Sequence, residues 1–145
     1  MDLFSSMRVS ASGLEAQTQR MNTISSNIAN AETTRTDTGG PYKKKTAVMG
    51  AITDRESFGE ILQNEIAENV QGVQMMEVAE DKSPPRIIFN PDHPDANAEG
   101  YVELPNVNVV QEMADMISAQ RSYEANVTTL GAAKAMAQKA LELGR

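Results

Sequence analysis

The chain has 145 residues, a formal net charge of −7, one His, and neither Cys nor Trp. That length suits one compact domain, or a smaller domain with long attached helices. The missing cysteines exclude disulfides, thiolate metal sites and thiol nucleophiles, and the acidic balance argues against a phosphate-binding surface, which clustered Lys and Arg would build. No run of about 18 apolar residues is present to span a membrane. The start, MDLFSSMRVSASGLEAQ, lacks the basic end and apolar block of a cleaved secretory signal.

Residues 3–30 carry a helical period. Met7, Leu14, Met21 and Ile28 recur every seven residues; Ala11, Thr18 and Ser25 fall at the other seam position, and Ile24 lies beside the second half. This spacing predicts a coiled-coil seam. Ser10, Ser12, Gly13, Asn22, Thr23 and Asn27 are weak helix formers, so the helix is marginal on its own. At 1.5 Å per residue it spans roughly 40 Å. The stretch AETTRTDTGGP, 31–41, has turn residues without apolar periodicity and reads as a loop.

Residues 42–105 differ in character. YKKKTAVM (42–49), GVQMMEVAE (72–80), PRIIFN (85–90) and GYVEL (100–104) are strand candidates bounded by the turn-rich KSPP and NPDHPDANAEG. Together they predict a small sheet near the lower limit of independent stability. Ile61, Leu62, Glu65 and Ile66 suggest one short helix within 54–69, the alternative being a mobile loop. Lys43, Lys44 and Lys45 read as an edge strand guarded by lysines, the alternative being a basic run that meets an acidic neighbour or lipid head groups.

The last segment opens at LPNVNVVQEM, where Asn108 and Gln111 form a capping-box pattern. A seam then runs Val109, Met113, Met116, Tyr123, Val127, Leu130, Ala137 and Leu141, interrupted at Gln120 and Lys134. About 35 helical residues would reach on the order of 50 Å. The fold class is therefore α+β. Long N- and C-terminal helices form an antiparallel coiled-coil-like pair, with a small β-rich module inserted between them at one end of a rod-shaped body. The divisions are 1–41 for the N-terminal helix and loop, 42–105 for the β module and 106–145 for the C-terminal helix.

Val110, Ile117, Ala119, Ala133, Met136 and Ala140 widen the apolar face of the C-terminal helix beyond what one partner helix covers. Leaving several such side chains wet, at roughly 1.5–3 kcal/mol each, forfeits a sum comparable with a small domain's stability of about 5–15 kcal/mol. The surplus predicts association, the alternative being a β module folded back over the strip.

No enzyme signature is present. His93, in NPDHPDA, has Asp92 and Asp95 near it, but a Pro-rich turn does not make neighbours converge on one metal, and zinc sites take three or four ligands. There is no G-x-S-x-G elbow and no phosphate-cradling glycine loop. Gly13 and Gly131 sit inside helices at a cost of about 1 kcal/mol each against Ala, either as points of close helix approach or as tolerated surface glycines. Arg121 and Glu124 have the i, i+3 spacing of an exposed ion pair.

The stretch SGLEAQTQRMNTISSNIANAET, with Leu14, Met21, Asn27, Ile28, Ala29 and Asn30, resembles the shared N-terminal motif of the flagellar axial proteins of rod, hook and hook-associated type. GGPYKKK, the block NPDHPDANAEGYVELPNVNVVQEMADMISAQRSYEANV, and AAKAMAQKALELG resemble the proximal rod proteins of that family over nearly the whole chain. Segment 50–70 is longer than in the shortest members, and Ser26–Asn27 stands where a double Asn is usual.

The resemblance implies a structural subunit of the bacterial flagellar rod, the drive shaft crossing the periplasm. Such a subunit is exported through the type III channel without a cleaved signal and polymerises helically with other rod proteins and copies of itself. Membrane-ring and export-apparatus components at the rod base are implied as further partners. No cofactor, metal, nucleic acid or small-molecule substrate is implied. The inner coiled-coil and intersubunit surface would fall on Met7, Leu14, Met21, Ile24 and Ile28, with Met113, Met116, Ile117, Tyr123, Val127 and Leu130. The competing reading from the helical pair alone is a soluble coiled-coil adaptor or a type III needle-like secreted component.

Overall fold

A computed structural model describes residues 3–37, 39–52 and 72–143. Helix α1 spans Leu3–Ala29 and helix α2 spans Val109–Leu143. Between them lie β1 (Lys45–Ala51), β2 (Val73–Glu80), β3 (Arg86–Phe89) and β4 (Tyr101–Leu104). The short helix expected within 54–69 lies outside the described residues.

The helices are antiparallel. Gly13 meets Asn126, Arg20 faces Asp115 and Asn27 bonds to Glu112, so position rises along one helix as it falls along the other. Asn108 caps α2: its Oδ1 accepts the N–H groups of Val110 at 3.1 Å and Gln111 at 3.3 Å, satisfying donors that a helix start leaves open. Gln111 does not complete the capping box seen in the sequence. Its amide reaches forward to Asp115 instead.

The four strands make two separate two-stranded ribbons, not one sheet. β1 and β2 pair antiparallel from Lys45↔Glu80 to Ala51↔Val73, with an irregularity at Val48/Met49. Met76 lies over Gly50 where a Cβ would sit. β3 and β4 pair from Arg86↔Leu104 to Phe89↔Tyr101. Their connection turns on Gly100, whose φ of +83° favours glycine. After β2, Asp81 Oδ1 accepts from the Ser83 hydroxyl at 2.7 Å and the Ser83 N–H at 2.9 Å. These bonds, the hydroxyl's foremost, hold the carboxyl below its ordinary pKa.

The β1–β2 ribbon does not stand at one end of the helices but lies along α1. Its first end is tied to Asn27 through Lys45, and its far end to Ser12, whose hydroxyl accepts the Val73 N–H at 3.1 Å. Among the described residues the buried apolar side chains are Ala16, Ile24, Val102, Pro105, Val107, Ala119 and Ala133. Three of these seven are alanines, so burial inside one molecule hides little apolar area.

Candidate functional site

The surface of interest is the helix pair itself. Its inner seam on α1 runs through Gly13, Ala16, Arg20, Ile24 and Asn27, and on α2 through Glu112, Met116, Ala119, Tyr123, Asn126, Leu130, Ala133 and Ala137. The α2 positions alternate steps of four and three, a coiled-coil spacing. Small residues at half of them let the backbones come close. At Gly13 a Cβ would lie 2.8 Å from the Asn126 amide nitrogen, so this glycine marks a tight approach; at Gly131 nothing lies within 4 Å.

This arrangement redistributes the residues expected on the seam. Ile24 is buried, and Met116, Tyr123 and Leu130 are half-buried within the seam. Met7, Leu14, Met21 and Ile28 are half-buried on its flank, while Ala11, Thr18 and Ser25 are exposed. On α2, Val109, Met113, Ile117, Val127 and Leu141 face solvent, with Met113 at 55 % and Ile117 at 54 % exposure; Val110 reaches 77 %. The reason is steric: small and polar side chains permit close approach, so the bulky ones are displaced sideways.

The displaced residues share one side. At about 100° per residue, Met7, Leu14, Met21 and Ile28 lie roughly a quarter to just under half a turn from the α1 seam, and Val110, Met113 and Ile117 lie at a similar rotation on α2. In an antiparallel pair those rotations bring both groups to the same side. The β1–β2 ribbon covers the other side, where Ser12 and Ser26 meet Val73 and Tyr42. The ribbon thus does fold back on the helices, yet it leaves the apolar strip open. A second apolar face lies on the β3–β4 ribbon. There Ile87, Phe89 and Tyr101 are exposed, and the last two rings stack edge-to-face with centroids 5.3 Å apart.

Beneath the strip's α2 end lies a polar cluster. Glu112 is 2 % and Asn27 is 1 % exposed. Asn27 Nδ2 donates to Glu112 Oε2 at 2.9 Å and to the Lys45 carbonyl at 2.7 Å. Its Oδ1 accepts the Lys45 N–H at 2.9 Å and the Tyr42 hydroxyl at 3.1 Å. Lys44 Nζ lies 2.8 Å from Glu112 Oε1. The lysine run is therefore not simply a guard on an exposed edge, because Lys44 turns inward as a counter-ion. Sequence reasoning passed over Glu112, whose residue type suggested solvent, and held an acidic neighbour for the lysine run only as the alternative to an edge strand.

His93 Nδ1 accepts the Asp95 N–H at 3.1 Å, a bond internal to the turn. Among the described residues no three His, Asp or Glu are placed to hold one metal ion. An open recess of about 500 Å³ is lined by Pro41, Lys43, Lys44, Glu80, Pro84 and Glu103, and also by Asp81 and Ser83, whose mutual hydrogen bond belongs to the turn after β2. No described helix is long and apolar enough to cross a membrane. Glu124, expected opposite Arg121, accepts from Gln120 at 3.5 Å.

Two family models match. Residues 7–35 fit the flagella basal body rod protein family, and residues 98–143 fit the C-terminal family of the flagellar basal body rod FlgEFG proteins. The matched stretches take in most of α1 and all of α2. Among curated proteins, the flagellar basal-body rod protein FlgC of Bacillus subtilis is 44 % identical over the full length of both chains. That of Borreliella burgdorferi is 42 % identical over 99 % of this chain and 98 % of its own. That of Escherichia coli O6:H1 is 37 % identical over both full lengths.

Proposed function

The chain belongs to the FlgC family of flagellar basal-body rod proteins and is a structural subunit of the rod; we propose that it polymerises helically through the open apolar strip of its helix pair. The observation that carries the reading is the exposure of Val110, Met113 and Ile117 beside the half-buried Met21 and Ile28. Among the described residues one side of the pair remains wet while the β1–β2 ribbon lies against the other. Full burial of an aliphatic or Met side chain is worth roughly 1.5–3 kcal/mol, so a neighbour seated there gains several such increments.

The partners are copies of this chain and other rod proteins, with membrane-ring and export components at the rod base. A contact between unlike surfaces that does not close on itself generates a helical array. Torque then spreads over many repeated interfaces, each modest. The subunit reaches the periplasmic rod by flagellar type III export without a cleaved signal, and the small intramolecular core suits passage as a loosely held chain. Its interface is assigned to Met7, Leu14, Met21, Ile28, Val110, Met113, Ile117 and Val127. Ile24, Met116, Tyr123 and Leu130 act within the molecule.

Met113→Asp and Ile117→Asp test the assignment. Both residues are exposed, so the purified variants should keep their circular dichroism and lose no more than about 0.5 kcal/mol of stability. Export should persist while rods and swimming are lost. Normal swimming with either variant would refute the interface. Leu130→Asp, inside the seam, is the contrasting case and should unfold the helix pair itself.

A further inference from the structure

We propose that the buried Asn27–Lys44–Glu112 cluster sets the sliding register of the two helices, and that the apolar seam alone does not. The proposal rests on the chain being a rod subunit only for its consequence, since the register fixes where each helix surface stands along the assembly.

The seam carries little positional information. Every seventh residue of α2 from Glu112 reads Glu, Ala, Asn, Ala, at 112, 119, 126 and 133. Opposite them α1 offers Gly13 and Ala16, which fit any small neighbour. A slip of one heptad would set Gly13 against Ala119 or Ala133 in place of Asn126. Small would still face small, with little apolar area lost.

The polar cluster does discriminate. Asn27 uses its whole hydrogen-bonding capacity: two N–H donations and two acceptances, all between 2.7 and 3.1 Å. It pairs with both the N–H and the carbonyl of Lys45 as a neighbouring strand would, anchoring the start of β1 to α1. Its remaining N–H goes to Glu112, and Lys44 supplies the charge that Glu112 lacks. Three elements distant in sequence meet at one carboxylate. A slip of seven residues carries Asn27 and Glu112 about 10 Å apart, leaving an ionised carboxylate buried without a donor. Groups of this kind seldom add net stability over well-packed apolar substitutes, but they penalise wrong pairings.

The absence of Cys makes the test clean. Spin labels are attached to the full chain at Thr18→Cys and Lys134→Cys, both exposed positions and staggered along the axis by about 20 Å so that a slip changes their separation, which is measured by pulsed electron resonance. The otherwise native chain should give a single narrow distance. Replacing the cluster by Asn27→Leu, Lys44→Met and Glu112→Leu should preserve helicity and split the distribution, with a second population displaced on the order of 10 Å. The exchange Lys44→Glu with Glu112→Lys should restore one distance. An unchanged single distance in the folded triple variant overturns the proposal, as does a broad distribution in the native cluster. Should the triple variant not fold, Lys44→Met with Glu112→Met is measured against the same outcomes. Failure of that pair to fold would also overturn the proposal, because the cluster would then support the fold as a whole. The readout does not involve rods, so its failure would leave the rod assignment standing.

Discussion

Gly13 and Gly131 are the same residue type in comparable helix interiors, yet their surroundings set them apart. In a helix Ala is favoured over Gly by about 1 kcal/mol through backbone entropy. Nothing lies within 4 Å of a Cβ at Gly131, so Gly131→Ala should collect that gain almost whole. At Gly13 the new carbon would meet the Asn126 amide at 2.8 Å. That amide is the end of a flexible side chain and can withdraw, so Gly13→Ala should gain clearly less. Gly13→Leu cannot be accommodated by a rotamer change and should push the helices apart. Urea unfolding of the three variants, followed by circular dichroism, measures the order Gly131→Ala above Gly13→Ala above Gly13→Leu. Equal stabilisation by the two alanines would mean that the helices do not approach at Gly13.

Helix α2 needs a defined start, because Val110 is largely exposed and Val109 only partly covered, so packing holds the first turn weakly. Asn108→Ala removes the acceptor for two open N–H groups and should cost about 1 kcal/mol. Amide exchange should show the loss as faster exchange confined to Val110, Gln111 and the next turn; uniform change along α2 would contradict it. Local signals of this sort were legible in the sequence. Asn108 before an apolar run, Pro105 after a strand and the turn residues of 90–100 placed the ends of α2, β3 and β4 within a residue or two. The facing of the helices was less legible. Met7, Leu14, Met21 and Ile28 repeat at the right interval for a seam, but periodicity reports only that residues share a face, not what covers it. The actual seam closes on Gly13 and Ala16, which carry little hydrophobic signal, and on Ala119 and Ala133, which the sequence marks only as widening the apolar face. The Asn27–Glu112 bond joins residues 85 apart, and no local spacing announces it. Two ribbons instead of one sheet follow from β1–β2 packing on α1, a tertiary choice that strand patterns do not encode.

At the scale of the whole molecule the two helices are unequal, with 27 residues in α1 and 35 in α2. Gly13 lies level with Asn126, so the first turn of α1 comes level with Met136, and the end of α2 runs past it. Residues 138–143 are all exposed, with Leu141 at 75 % and Leu143 at 88 %. Their one described ion pair, Lys139 to Glu142 at 2.8 Å, is a surface contact within the same helix and worth little. A helix end with no partner among the described residues, yet carrying two leucines, adds little to the monomer and has surface to offer a neighbour. Deleting residues 138–145 should therefore shift the melting temperature of the purified chain by no more than about 2 °C, yet abolish incorporation into rods and swimming. Leu141→Asp with Leu143→Asp should reproduce the defect without shortening the chain. Full motility of either variant would remove the overhang from the interface. A large drop in melting temperature would show instead that α2's end is held within the subunit, leaving the strip of Val110, Met113 and Ile117 to carry assembly alone.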